Sequence, residues 1–93
     1  MSTPPAPRSA RDQVTQYHEA KLGELLAHVE DAVRAWRAGE ADAFETDHVI
    51  YRYSRAAKEL WKFCNLADAA STAPLIVDRD PIDWWAQAAP RRR

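Results

Sequence analysis

The sequence predicts an all-α fold, in which an antiparallel two-helix hairpin carries a short third C-terminal helix and dimerisation completes a four-helix bundle. Two apolar patterns with alternating spacings of three and four residues lie on either side of Gly39. Their members are Leu22, Leu25, Val29, Ala32 and Trp36, and then Ile50, Tyr53, Ala57, Leu60, Cys64 and Ala67. Such spacing lines one face of a helix, and two apolar faces joined by a short turn form a helical hairpin.

Length and composition indicate one small soluble domain. The chain has 93 residues, 46% of them hydrophobic and 29% charged, and only two glycines. Its net charge of −1 provides no overall attraction to nucleic acid or anionic lipid. A single cysteine, Cys64, excludes an intrachain disulfide and a cysteine-based zinc site within this chain. Without a secretory-signal layout or a long apolar run, we expect a cytoplasmic protein with no membrane association.

The domain organisation follows from proline content and charge. Residues 1–8 contain three prolines and no apolar periodicity, so a flexible N-terminal arm is expected there. Residues 9–89 carry the helical signals and form the single predicted domain. Residues 90–93 are a basic tail that ends in three arginines.

The first helix is predicted over residues 10–38. Ser9 and Asp12 have the spacing of a capping box, in which a side chain and an acid satisfy unpaired amides at the helix start. Gly39 follows the apolar pattern directly and is suited to the left-handed conformation that ends many helices.

The second helix is predicted over residues 43–70. Asp42 and Glu45 have capping-box spacing at its start. Pro74, the last residue of a Ser-Thr-Ala-Pro segment, is expected to stop the helix because proline cannot continue the hydrogen-bond ladder. Residues 75–77 (Leu-Ile-Val) are then expected to be a short extended apolar segment.

A short third helix is predicted over residues 81–89. Asp80 is a candidate N-cap, and Pro81 is favourable at the first helical position. This helix carries Trp84 and Trp85, the predicted partner-binding residues, because tryptophan is enriched at binding hot spots. Adjacent helical residues point about 100° apart, so we expect Trp84 to join the core and Trp85 to face a partner. The alternative is that both tryptophans cover the core.

The apolar surface predicts association with another helical surface. The two stripes are broadened by Leu26, Val33, Val49, Ala56 and Phe63. Together they exceed what one hairpin covers. We therefore expect a homodimer, or pairing with a different helical protein.

A basic face on the second helix supports an alternative function, contact with nucleic acid. Its residues are Tyr51, Arg52, Arg55, Lys58 and Lys62. Cations interleaved with an aromatic ring can follow phosphates and stack on a base, with the arginine tail as a further cation cluster. The structural interpretation is that bases near a helix C-terminus stabilise the helix dipole.

The sequence gives little support for catalytic or metal-binding residues. Glu45 and His48 have the Glu-x-x-His spacing of di-metal helical bundles, but Glu45 is predicted to cap the helix and His48 lies off the apolar stripe. His18 is expected near Cys64, yet no third group orients the histidine, so Cys64 is interpreted as a small buried hydrophobe. We therefore predict no catalytic residues, no metal site, no cofactor and no enzymatic activity.

The turn resembles that of the W-x-G helical-hairpin proteins exported by type VII secretion systems. Trp36-Arg37-Ala38-Gly39 places tryptophan and glycine between two helices, with one residue more than the family motif. That family's export signal, a tyrosine four residues before an acid, is not matched by Tyr17, Tyr51 or Tyr53. The resemblance implies an exported helical hairpin, which we place third among the functions considered.

The sequence thus favours a small non-enzymatic interaction or regulatory protein that binds a protein partner or itself. A nucleic-acid-associated protein is the alternative. Salt-dependent binding distinguishes the two, because association driven by phosphate contacts weakens steeply as salt rises.

Overall fold

The all-α prediction is confirmed by the computed structural model, which describes residues 9–78 and 82–90. Within these residues 82% are helical and none form a strand. The elements are α1 (Ala10–Arg37), α2 (Ala43–Asn65), α3 (Ala69–Asp78) and α4 (Trp84–Gln87). The predicted N-terminal arm, the Asp80-Pro81 signal and the three terminal arginines lie outside the described residues.

The long helices α1 and α2 form the predicted hairpin, and local hydrogen bonds define its turn. Gly39 has φ of 79°. Its amide donates to the Trp36 carbonyl at 3.0 Å, and the Glu40 amide donates to the Ala35 carbonyl at 2.9 Å. This pair of bonds is a Schellman motif, which satisfies carbonyls that the end of α1 leaves unpaired.

Side chains cap the starts of both long helices. The Ser9 hydroxyl accepts from the Asp12 amide at 3.2 Å, which is one half of the predicted capping box. At α2 the box is complete. The Asp42 carboxylate accepts from the Glu45 amide, and the Glu45 carboxylate accepts from the Asp42 amide, both at 2.8 Å. These reciprocal bonds set the first residue of α2.

The predicted end of the second helix, near residue 70, is wrong. Helix α2 ends at Asn65, and a new helix begins at Ala69. The Asp68 carboxylate caps α3 by accepting from the Ser71 amide at 2.8 Å. Hydrogen bonds from the backbone and side chain of Ser71 hold the pKa of the Asp68 carboxyl below its usual value. The chain therefore redirects through three residues and does not extend one long helix.

Pro74 does not stop a helix, and residues 75–77 are not extended; both predictions are wrong because these residues belong to α3. A proline in a helix leaves the carbonyl four residues earlier without its helical donor. Here both Pro74 and Ala70 are exposed, so water can reach that carbonyl. Burial of Thr72 and Ala73 on the inner side of α3 offsets the loss.

The last helix is shorter than predicted, because α4 covers only Trp84–Gln87. Its N-cap is Asp83, whose carboxylate accepts from the Ala86 amide at 3.0 Å. A cap at Asp83 sets the helix start at Trp84 and leaves Ile82 outside the helix.

The core lies where α3 and α4 pack against the hairpin. Leu60 and Ala56 of α2 are fully buried, and Leu25 of α1 is 2% exposed. The remaining buried apolar residues are Val14, Cys64, Ala73, Trp84 and Ala88. This packing positions the two tryptophans of α4 over the middle of the hairpin.

Substitution of Gly39 by alanine is expected to lower the free energy of unfolding by about 1 kcal/mol, because φ of 79° strains any residue with a Cβ. A Cβ at this position meets no atom within 4 Å, so backbone strain alone sets the cost. The matched control is Gly23→Ala inside α1, which we expect to stabilise the protein by about 0.5–1 kcal/mol. Urea denaturation measures both, and two changes of the same sign would contradict this account.

Candidate functional site

An aromatic cluster ties α4 to the hairpin. Trp84 is 7% exposed, and its indole Nε1 donates to the Tyr17 hydroxyl at 2.9 Å. The Phe63 ring centroid lies 5.4 Å from that of Trp84 and 5.8 Å from that of Tyr17, both tilted. Each residue comes from a different helix, α1, α2 or α4. Trp84 is thus a core residue, with little of its side chain exposed.

Trp85 is half-buried and is held by side chains of both long helices. The His28 ring of α1 stacks on it, with centroids 4.1 Å apart and planes 3° from parallel. The Arg52 guanidinium of α2 lies 4.2 Å from the indole centroid. Arg52 also donates to the Trp85 carbonyl through Nε at 3.0 Å and Nη2 at 2.7 Å. Side chain and backbone of Trp85 are therefore both fixed.

A groove of about 360 Å³ runs between α2 and α4 beside Trp85. It is lined by His48, Val49, Tyr51, Arg52, Arg55, Trp85, Ala88 and Pro90. The lining is mainly apolar, and none of the acidic side chains that the structure describes contributes to it. We call it the Trp85 groove. Its lining includes three of the residues predicted for nucleic-acid contact, Tyr51, Arg52 and Arg55.

The predicted basic face divides into engaged and free side chains. Arg52 is bonded to Trp85, and Lys62 pairs with Glu59 at 3.2 Å. Arg55 and Lys58 are exposed, and neither forms an ion pair with any described residue. Tyr51 is 65% exposed. The residues available to a ligand are therefore fewer than the sequence indicates.

The opposite side of the hairpin is largely apolar and is partly exposed in the described part of the chain. Two series with the same four-three-four spacing define it, Leu22, Leu26, Val29 and Val33 on α1 and Ile50, Ser54, Ala57 and Trp61 on α2. Residues at these spacings share one face of a helix. Three of the large side chains are about half exposed, Leu26 at 50%, Ile50 at 43% and Trp61 at 52%. We call this surface the open face.

Helix α4 packs on the side of the hairpin away from the open face. Contacts with α4 come from His28 on α1 and from Arg52 and Phe63 on α2. Helical spacing places these residues on the flank of each helix away from Leu26 and Ile50. In an antiparallel hairpin, the two open-face series therefore point the same way.

One residue of the candidate catalytic pair, Cys64, and one of the candidate metal-binding pair, Glu45, have structural roles in the fold. Burial raises the pKa of the Cys64 thiol to about 11, which disfavours the reactive thiolate. His18 lines the same surface hollow as Cys64. Glu45 is occupied as a helix cap. Among residues 9–78 and 82–90, no three His, Cys, Asp or Glu side chains cluster as metal ligands would.

Comparison of the chain with protein-family models, curated proteins and solved structures gives no match. In the described part of the chain, none of the helices combines the length and apolar character needed to cross a bilayer. The assignment of function therefore depends on the two surfaces.

Sequence reasoning missed the connection between Arg52 and Trp85. These residues lie 33 positions apart, and periodicity within a helix carries no information about that contact. His28 was likewise not identified as the residue that stacks on Trp85. The available signal was their position, because both lie beside the apolar stripes of their helices and face the side that α4 must cover.

Proposed function

We propose that this chain is a small, non-enzymatic, cytoplasmic interaction protein that pairs with a second copy through its open face, forming a four-helix bundle. The observation that carries the proposal is the half-exposure of Leu26, Ile50 and Trp61 on one side of the hairpin. Large apolar side chains grouped on one surface are typical of association sites.

The arrangement of the open face favours a copy of itself as the occupant. The open face exposes large apolar side chains on both helices, Leu26 on α1 and Ile50 and Trp61 on α2, and every copy of the chain carries the same set. A twofold interface uses the same patch on both subunits, so such a surface can fit its own copy.

A substitution that introduces a charge on the open face tests the proposal. Leu26→Glu or Ile50→Glu is expected to convert a dimer into a monomer with unchanged helix content, because each site is half exposed in the single chain. The matched control is Phe44→Glu, since Phe44 is 79% exposed and lies outside both open-face series. Light scattering coupled to size-exclusion chromatography gives the mass of each variant, and circular dichroism gives its helix content.

The proposal fails if the Leu26→Glu and Ile50→Glu variants keep the mass of the unmodified protein. It also fails if Phe44→Glu dissociates the protein as effectively as they do. A loss of helix in the open-face variants would instead show that these residues support the single hairpin, which would equally contradict the proposal.

The ion pair and hydrogen bonds that the basic face already makes favour a protein partner over nucleic acid. Arg52 and Lys62 are committed to Trp85 and Glu59, which leaves Arg55 and Lys58 as the free cations of that face among the described residues. Nucleic-acid binding depends on neutralising several phosphates. Two cations provide little of that attraction.

A further inference from the structure

We propose that the Trp85 groove binds an acidic segment of a partner protein, with an aromatic or aliphatic side chain in the groove and a carboxylate on Arg55 and Lys58. The groove lies on the side of the hairpin that α4 covers, away from the open face. This inference therefore goes beyond self-association and does not depend on it.

The apolar part of the groove lining suits an apolar anchor. Val49, Ala88 and Pro90 contribute to its lining together with the Trp85 ring. The volume of about 360 Å³ is at the lower end of the range for ligand pockets, enough for one or two side chains and too small for a folded domain. A short peptide segment matches that size.

Trp85 is fixed before any partner arrives. Its ring is stacked by His28 at 4.1 Å, and its carbonyl accepts from Arg52 at 2.7 Å and 3.0 Å. A side chain that is already ordered loses little conformational freedom on binding. Because His28 and Arg52 occupy the two faces of the ring, the edge of the indole is the rigid surface against which an apolar side chain can pack.

The part of the groove that Arg55 lines suits a carboxylate. Arg55 lies in its wall, and a second hollow beside it is lined by Arg55 and Lys58 with Gln87 and Ala88 of the α4 end. The acid in that hollow, Glu59, pairs with Lys62 at 3.2 Å. Arg55 thus presents a guanidinium that no described residue pairs with, and its parallel N–H groups match the geometry of a carboxylate.

An acidic peptide fits this combination better than a nucleic acid does. The groove has an apolar lining next to one or two cations. A peptide with an apolar side chain flanked by acidic residues complements both features. A single strand of nucleic acid needs a longer cationic track and exposed stacking rings. Trp85 is half-buried and already stacked on His28, which leaves Tyr51 as the exposed ring of the groove.

Selection from a displayed library of random peptides on the immobilised full chain tests the proposal. The enriched peptides are expected to contain aspartate or glutamate next to an aromatic or aliphatic residue. The tightest peptide, labelled for fluorescence anisotropy, should bind the Arg55→Glu, Lys58→Glu double variant at least about tenfold more weakly, because attraction becomes repulsion. Arg11→Glu is the control for a changed charge outside the groove, at a helix start where an acid is tolerated.

Oligothymidine is the competing probe in the same assay. The proposal is overturned if no peptide is enriched, if the enriched peptides lack acids, or if the double variant binds as tightly as the unmodified protein. Binding of oligothymidine that falls steeply with salt and displaces the peptide would assign the groove to nucleic acid instead. Equal weakening by Arg11→Glu would show a general charge effect and also overturn the proposal.

Discussion

Leu60→Asp is expected to abolish folding at neutral pH. Leu60 is fully buried on α2 and belongs to the cluster that joins α2 to α3 and α4. An ionised carboxylate at this position has no partner, and burying such a charge costs more than a small domain's free energy of unfolding, about 5 kcal/mol for one of this size. Far-ultraviolet circular dichroism should show the loss of helix directly.

Two substitutions at the same position separate charge from volume. Leu60→Met conserves volume and is expected to cost less than about 1.5 kcal/mol. Leu60→Ala removes buried atoms without adding a charge and should cost about 2–5 kcal/mol. A folded Leu60→Asp protein with native helix content would show that Leu60 is not in the core.

Trp84→Ala is expected to lower the free energy of unfolding by about 3–5 kcal/mol, close to the whole stability of a domain of this size. The substitution removes a side chain that is 7% exposed, takes away its aromatic contact with Phe63 and leaves the Tyr17 hydroxyl without the indole donor. Thermal unfolding followed by circular dichroism measures the change. We expect a broad transition at lower temperature, or no folded protein.

Two further substitutions identify the source of that effect. Tyr17→Phe keeps the ring and removes the acceptor for the Trp84 indole Nε1, so it should cost about 1–3 kcal/mol. Trp85→Ala removes a half-buried ring at the edge of the groove and should destabilise the protein less than Trp84→Ala does. If Trp85→Ala were the more destabilising of the two, the assignment of Trp84 to the core would be refuted.

The hairpin was predictable because its signals are local. Asp42 and Glu45 satisfy amides within one helical turn, and Gly39 takes the positive φ that the chain needs just after α1. Each of these depends on residues a few positions apart. Apolar spacing then identifies the faces that meet, with Leu25 and Leu60 both buried.

Helix α3 was not predictable from local signals, because a proline in the sequence favours the end of a helix over its continuation. The available evidence was Asp68, which precedes Ser71 at capping distance. Only tertiary packing shows that burying Thr72, Ala73 and Ile76 offsets the bond that Pro74 cannot make. The third-helix start near residue 81 was misplaced for a similar reason, since two aspartates compete as caps and Asp83 makes the bond.

The candidate site was partly predictable. The apolar spacing of Trp84 and Ala88 favours Trp84 as the core residue, and both are buried. The face containing Arg55 and Lys58 was recognised from charge spacing. The sequence did not predict that this face and Trp85 line one groove. The groove depends on how α4 crosses α2, and only contacts such as that between Arg52 and Trp85 define the crossing.

Sedimentation equilibrium of the unmodified protein at micromolar concentration tests the central proposal most directly. Pairing through the open face predicts a mass twice that of the 10.6 kDa chain, with dissociation on dilution that follows a single monomer–dimer equilibrium. A well-folded monomer of 10.6 kDa across the whole concentration range would contradict the proposal.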